Sequence, residues 1–131
     1  MSGFIKLTAI ITAIIGVALL AFVLDYYHSD KSSIENYVKE QNITRVQFKS
    51  NALLFYGSEN KSALIFYPGA KVEYTAYEPL MSACAKRGIM GILIKMPLNF
   101  ANFDINAAKR MKKYFPDIKN WYIGGHSLGG K

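Results

Sequence analysis

The sequence predicts a small α/β protein in which one membrane helix precedes a hairpin and then parallel strands joined by crossover helices. Three observations predict this fold class. Residues 7–24 are apolar and carry no charged side chain. Strand-like and helix-like segments alternate from residue 62 to residue 124, an order typical of a parallel sheet with right-handed crossovers. Glycine-containing turns follow two of these strands, where sheets of this class place their sites.

Length and composition exclude several classes of protein. The chain has 131 residues, 51% of them hydrophobic, with 16 basic and 9 acidic side chains and a net charge of +7. That length allows one small domain, and this composition is too apolar for a disordered tail. The single cysteine, Cys84, excludes an internal disulfide framework and a cysteine-rich zinc module. We predict neither a metal nor a cofactor.

The basic excess does not point to nucleic acid. The densest basic cluster lies within one predicted helix and lacks the interleaved aromatic residues of RNA-binding surfaces. We interpret it as a solvated helix face, and it consists of Lys109, Arg110, Lys112 and Lys113.

The apolar run Leu7–Leu24 approaches the roughly 20 residues that a helix needs to cross a bilayer. Lys6 precedes the run and Tyr26 and Tyr27 follow it, which are residue types of the membrane interface. We interpret residues 1–30 as a retained anchor with its juxtamembrane segment and residues 31–131 as a partial soluble domain. A cleaved signal peptide is the alternative. The very short leading segment favours a cytoplasmic N-terminus, and hence an extracytoplasmic domain.

The soluble part begins with a helix and a hairpin. Ser32–Glu35 forms a capping-box pattern, with Ser32 as the predicted N-cap, and the helix is expected to end near Gln41. Thr44–Phe48 and Ala52–Tyr56 then alternate as two strands around a polar turn.

The remaining elements alternate. Ser62–Tyr67 is a nearly continuous apolar run, typical of a strand covered on both faces. Thr75–Arg87 has helical spacing and is followed by Gly88, which predicts a glycine C-cap. Ile89–Met96 reads as the next strand. A helix capped by Asp104 and running to about Tyr114, then a strand over Asn120–Gly124, complete the series.

The candidate catalytic residues lie in the turn after the last strand. Residues 125–129 form a G-x-S-x-G pattern, in which a tight turn lifts the Ser127 hydroxyl out of the sheet between two small residues. The N–H of Leu128 would point at a developing oxyanion. A second N–H would come from residues 68–71, after the earlier strand. His126 is expected to point away from Ser127, so it is not assigned as the general base, and His28 is interpreted as an interfacial polar residue.

Two alternatives remain open at this point. Residues 125–131 also fit the first seven positions of a phosphate-binding P-loop, although such loops usually follow the first strand of a domain. The chain could also be a membrane-tethered α/β module without catalytic activity.

Residues 37–131 resemble the N-terminal half of an α/β-hydrolase, and most closely a bacterial group of membrane-anchored or secreted enzymes related to dienelactone hydrolases. The element order matches the first five strands and first two helices of that family. The stretches that carry the resemblance are Leu64–Lys71, Ala76–Leu80, Lys95–Phe103 and Trp121–Gly130.

The resemblance implies a role for individual residues. Ser127 would be the nucleophile, and the N–H groups of Leu128 and Ala70 would form the oxyanion hole, with Lys71 as the alternative to Ala70. The loop after the fourth strand would either line the acyl pocket or pack internally, and its residues are Asn99, Phe100 and Phe103.

The family places its acid and histidine after later strands. We therefore expect the 131 residues to be a fragment, inactive alone, of a serine hydrolase that cleaves an ester or related acyl bond. The predicted partners are a small acyl substrate and membrane lipid around the N-terminal helix.

Overall fold

A computed structural model describes residues 2–96 and 106–126 of the chain. It contains a five-stranded sheet in the order β1-β2-β4-β3-β5. The hairpin strands β1 and β2 are antiparallel, β2 also runs antiparallel to β4, and β3 is parallel to both of its neighbours. The predicted α/β class is confirmed. The strands are β1 Thr44–Phe48, β2 Ala52–Tyr56, β3 Ser62–Tyr67, β4 Ile89–Ile94 and β5 Asn120–Gly125.

Four α-helices accompany the sheet in the described residues: α1 Gly3–Leu24, α2 Lys31–Glu40, α3 Glu78–Lys86 and α4 Ala107–Tyr114. The helix predicted from Thr75 is divided, because a 3₁₀ turn over Tyr74–Tyr77 precedes α3. Pro79 explains the division, since it has no N–H to continue the hydrogen-bond ladder from Thr75. Gly88 follows α3 with φ +82°, and this confirms the predicted glycine C-cap.

The N-cap of α2 differs from the prediction. The carboxylate of Asp30, not Ser32, caps the helix by accepting the Ser33 N–H at 3.3 Å and the hydroxyl groups of Ser32 and Ser33 at 2.9 and 2.8 Å. These hydrogen bonds, above all the one from the Ser33 hydroxyl, lower the pKa of Asp30. An ionised carboxylate is a stronger acceptor than a serine hydroxyl, and it interacts favourably with the positive end of the helix dipole. Asp30 is therefore the N-cap in place of the predicted Ser32.

The sheet has two covered faces, as the apolar strands predict. Alternate residues of β2, β3 and β4 pack under α4 on one face, where Ile65, Ile92 and Met111 are almost completely buried. The other face packs against α2 and α3, with Phe55 and Met81 at its centre. The sheet is therefore the middle of three layers.

The strand β5 pairs with β3 and has no second partner among the described residues. Tyr122 and Ile123 on this strand are 54% and 61% exposed. These exposed apolar side chains lie on the open edge of the sheet.

The helix α1 has 22 residues, and none of its side chains is buried. It is long and apolar enough to span a membrane. A signal sequence shares that length and composition.

Candidate active site

The turn after β3 is the first component of the candidate site. It is a β-turn closed by a hydrogen bond of 3.3 Å from the Val72 N–H to the Gly69 carbonyl, with Ala70 and Lys71 as its central residues. Lys71 has a left-handed backbone with φ 58°. Among the residues that the structure describes, no acceptor binds the N–H of Ala70 or Lys71. Either group can therefore serve as a donor to a ligand.

The end of β5 lies directly beside this turn. Tyr67 and Gly125 are register partners at the ends of the parallel strands β3 and β5. The N–H of His126 continues the ladder by donating to the Tyr67 carbonyl at 3.2 Å. The chain thus leaves β5 next to residues 68–71, which is the juxtaposition that the two glycine-containing turns predict.

Gly69 contacts the residue that immediately precedes Ser127. A Cβ atom on Gly69 would lie 2.9 Å from Nδ1 of His126, 3.1 Å from the Tyr77 hydroxyl and 3.3 Å from the His126 carbonyl oxygen. A Cβ atom at these distances would force the His126 ring, the Tyr77 hydroxyl or the backbone of the turns to shift. Glycine fits here without such a shift, because the two turns approach each other closely.

Tyr77 links the two turns through its hydroxyl group. The Tyr77 oxygen accepts the Gly69 N–H at 3.1 Å and shares a hydrogen bond of 3.0 Å with Nδ1 of His126. Its ring packs on Phe66 with the ring centroids 5.0 Å apart. The helical spacing of residues 75–87 does not indicate this role for Tyr77. The available signal was the hydroxyl itself, since a half-buried tyrosine usually has a hydrogen-bond partner.

The predicted site residues fall into two groups. Ala70, Lys71 and His126 lie together at the carboxyl edge of the sheet, and His126 is solvent-exposed. His28 lies in the segment after α1, with its ring centroid 4.2 Å from that of Tyr26. The others lie outside the described residues: Ser127, Leu128, Asn99, Phe100 and Phe103.

The segment after α1 contacts the same turn. The Tyr27 N–H donates to the Lys71 carbonyl at 2.6 Å, and the Tyr27 carbonyl accepts the Glu73 N–H at 2.9 Å. Tyr27 thereby forms a parallel bridge with Val72. This contact is not predictable from the sequence, because an isolated bridge between distant segments leaves no periodic pattern.

We searched for candidate metal ligands in the part of the chain that the structure describes. In that part, no group of three or more His, Cys, Asp or Glu side chains is placed to hold a metal ion. Cys84 is half-buried, and burial raises the pKa of its thiol.

Comparison with known families decides the classification. The model of the Alpha/beta hydrolase family matches residues 63–131, just over half of the chain. The chain belongs to this family. The match in this hydrolase begins in β3 and includes both turns of the candidate site. Searches of curated proteins and of solved structures gave no match. The closer relationship to dienelactone hydrolases stays a prediction.

Proposed function

We propose that the intact protein is a membrane-anchored serine hydrolase that cleaves an ester or related acyl bond, with Ser127 as its nucleophile. The observation that carries this proposal is the contact between Gly69 and His126 at the carboxyl edge of the sheet. It brings the turn that follows β3 against the residue that precedes Ser127. In a hydrolase, the nucleophile and one of the oxyanion donors come from these two turns.

The N–H groups supply the electrostatic part of the mechanism. When Ser127 attacks the acyl carbonyl, negative charge develops on the carbonyl oxygen. The N–H of Leu128 and that of Ala70, or of Lys71, would donate to this oxygen. Removal of one such donor costs about 10²–10³-fold in rate in comparable sites.

The proton of Ser127 needs a separate base, because serine is a weak nucleophile at neutral pH. His126 is engaged with Tyr77 through Nδ1, so we do not assign it this role. In this proposal the acid and the histidine come from residues after Lys131, as the family resemblance implies. That histidine would take the serine proton and pass it to the leaving alcohol, and water would then hydrolyse the acyl-enzyme.

The anchor and its orientation are part of the same proposal. We assign α1 as a retained single-pass anchor with a cytoplasmic N-terminus and an extracytoplasmic catalytic domain. The apolar length of α1 and the absence of buried side chains on it support the anchor. Family membership also favours a hydrolase over the P-loop alternative for residues 125–131.

Substitution of Ser127 tests the proposed function. In the protein expressed from its complete reading frame, Ser127→Ala should lower ester turnover by about 10³-fold or more, since the nucleophile is lost. The matched control is Ser58→Ala, which changes an exposed serine in a surface loop. Turnover of chromogenic esters, measured at equal protein concentration, checks the prediction. Activity retained by Ser127→Ala would refute the role of this residue.

A further inference from the structure

Residues 25–31, which we call the juxtamembrane strap, are bonded to the segment that follows β3. Two backbone hydrogen bonds join Tyr27 to Lys71 and Glu73, on either side of Val72. These bonds form one isolated parallel bridge between the strap and the turn over residues 69–72, which we call the site turn. The strap therefore holds the site turn by its backbone.

Side chains reinforce the backbone pairing. The carboxylate of Glu73 accepts the Ser29 N–H at 2.9 Å and the Ser29 hydroxyl at 3.0 Å. It also pairs with the Lys31 ammonium at 3.5 Å, and the Glu73 side chain is only 14% exposed. Burial alone would raise the pKa of Glu73, but the hydrogen bonds from Ser29 and the charge of Lys31 outweigh it and lower the pKa. Glu73 is thus ionised at neutral pH and binds the strap.

Lys71 connects the site turn to the membrane helix itself. Its ammonium group lies 4.1 Å from the centroid of the Phe22 ring, in the last turn of α1, and 3.6 Å from the Asp25 carboxylate. Basic side chains near the end of a membrane helix usually lie at the bilayer interface. The residue next to Ala70 therefore contacts the last turn of α1.

The strap is too short to let the site move far from the bilayer. Leu24 ends α1 and Tyr27 already pairs with Val72. Three residues span at most about 10 Å when fully extended. With α1 across a bilayer, the turn that carries the oxyanion donors lies at the level of the lipid headgroups.

We propose that the strap holds the site at the membrane surface, so that the enzyme acts on amphiphilic esters whose acyl chain is dissolved in the bilayer. This inference rests on the proposed hydrolase function. A bilayer-borne ester can present its carbonyl at the interface while its hydrocarbon chain stays out of water. A site tethered at that interface meets such substrates at a high effective concentration.

An insertion tests the effect of the distance between the site and the membrane without changing the residues of the site. About ten Gly and Ser residues, which form a flexible coil, are inserted between Leu24 and Asp25. The strap keeps its bonds to residues 71–73, but the site gains distance from the membrane. The matched control carries the same insertion before Ser2, on the other side of α1. Both proteins are reconstituted at full length in phosphatidylcholine vesicles.

Two esters are compared in these vesicles: a long-chain umbelliferyl ester dissolved in the bilayer and a short-chain umbelliferyl ester dissolved in water. The insertion after Leu24 should lower the rate on the bilayer ester about tenfold by reducing effective concentration. The rate on the soluble ester should stay within about twofold, and the control insertion should change neither. Equal effects on the two esters, or no effect on either, would overturn the inference.

The failure of this inference is distinguishable from the failure of the proposed function. Labelling of Ser127 by a fluorophosphonate is measured in every preparation. Labelled enzyme that lacks the difference between esters overturns the inference alone. Absence of labelling at Ser127 in the unmodified full-length protein overturns the proposed function.

Glu73 is a positioning residue in this scheme, since it acts on the site through the strap. Glu73→Gln removes the charge that binds Ser29 and Lys31 and should lower kcat about threefold to tenfold on both esters, with a smaller change in KM. Rates are normalised to the labelled fraction, which removes losses from misfolding. The control is Glu35→Gln, whose pair with Lys39 is solvent-exposed on both sides, where ion pairs contribute little to stability. Identical normalised kcat values for the two variants would contradict the positioning role.

Discussion

Two turns at the same edge of the sheet have the same backbone feature and different surroundings. The hairpin turn between β1 and β2 contains Lys49 with φ 53°, and the site turn after β3 contains Lys71 with φ 58°. Because β2 runs antiparallel to β4, both turns lie at the carboxyl edge of β3 and β4. A left-handed lysine costs roughly 1–2 kcal/mol relative to the right-handed region, so each turn needs compensating contacts.

The contacts that compensate are different in the two turns. The Lys49 carbonyl accepts a hydrogen bond from the Gln47 side chain at 2.9 Å, and the Lys49 ammonium lies 4.6 Å from the centroid of the Tyr114 ring. The site turn is instead bonded to the backbone of Tyr27 and, through Tyr77, to His126. One turn joins neighbouring strands, whereas the other assembles segments from three distant parts of the chain.

The largest expected effect comes from crowding the site turn. Gly69→Ala places a Cβ atom 2.9 Å from Nδ1 of His126 and 3.3 Å from the His126 carbonyl oxygen, and we expect the two turns to be pushed apart. Displacement of an oxyanion donor should lower kcat/KM of the full-length enzyme by about 100-fold. The control is Gly16→Ala, since no atom lies within 4 Å of a Cβ there. Ester turnover that is equal in the two variants would show that the contact with His126 does not matter.

Removal of one hydroxyl should have the next largest effect. Tyr77→Phe keeps the ring packed on Phe66 but leaves the Gly69 N–H without its acceptor. We expect kcat to fall about tenfold, within the range of a lost hydrogen bond in a preorganised site. Tyr114→Phe provides the comparison on the hairpin side, where the tyrosine contacts Lys49 through its ring. Steady-state kinetics should show a loss for Tyr77→Phe and none for Tyr114→Phe.

Glycine substitution of the two left-handed lysines compares the turns directly. Lys49→Gly relieves the backbone cost, and we expect a shift in Tm of no more than a few degrees with unchanged turnover. Lys71→Gly relieves the same cost but removes the contacts with Phe22 and Asp25. Its turnover of bilayer-borne ester should fall about threefold. Equal changes in Tm and in turnover for the two variants would contradict the proposed difference between the hairpin turn and the site turn.

The smallest expected effect is a pH dependence of stability. The pKa of Glu73 is lowered from its ordinary value of 4.5 in the folded protein. Its stabilising contribution is therefore fully present above pH 4.5 and is lost as the pH falls through the lowered pKa. The difference in Tm between the unmodified protein and Glu73→Gln should be constant from pH 7 to about pH 5 and shrink at lower pH. A difference that grows on acidification would contradict this assignment.

The sequence predicted the sheet well because its strands follow simple apolar patterns. The bounds of β1, β2 and β3 agree with the predicted segments, and Gly88 ends α3 as expected. The errors occurred where local rules compete. Asp30 replaced Ser32 as the N-cap of α2, and Pro79 divided the helix predicted from Thr75.

The site was only partly predictable for a different reason. Glycine residues that follow the ends of apolar strands indicated that residues 68–71 and 125–129 form the turns of the site. The partners that hold those turns are contacts over long sequence separations. Tyr77 lies 49 positions from His126, and Ser29 lies 44 positions from Glu73. No periodicity within one segment encodes such pairs, so they emerge only when the fold brings the segments together.

The most direct test of the account is mass spectrometry of the full-length protein after reaction with a fluorophosphonate. The account predicts a single phosphonyl adduct on the peptide that contains Ser127. That adduct should be absent from Ser127→Ala and strongly reduced in Gly69→Ala, because the displaced turn no longer stabilises the developing charge. An adduct on another side chain, or the absence of any adduct from the unmodified protein, would contradict the account.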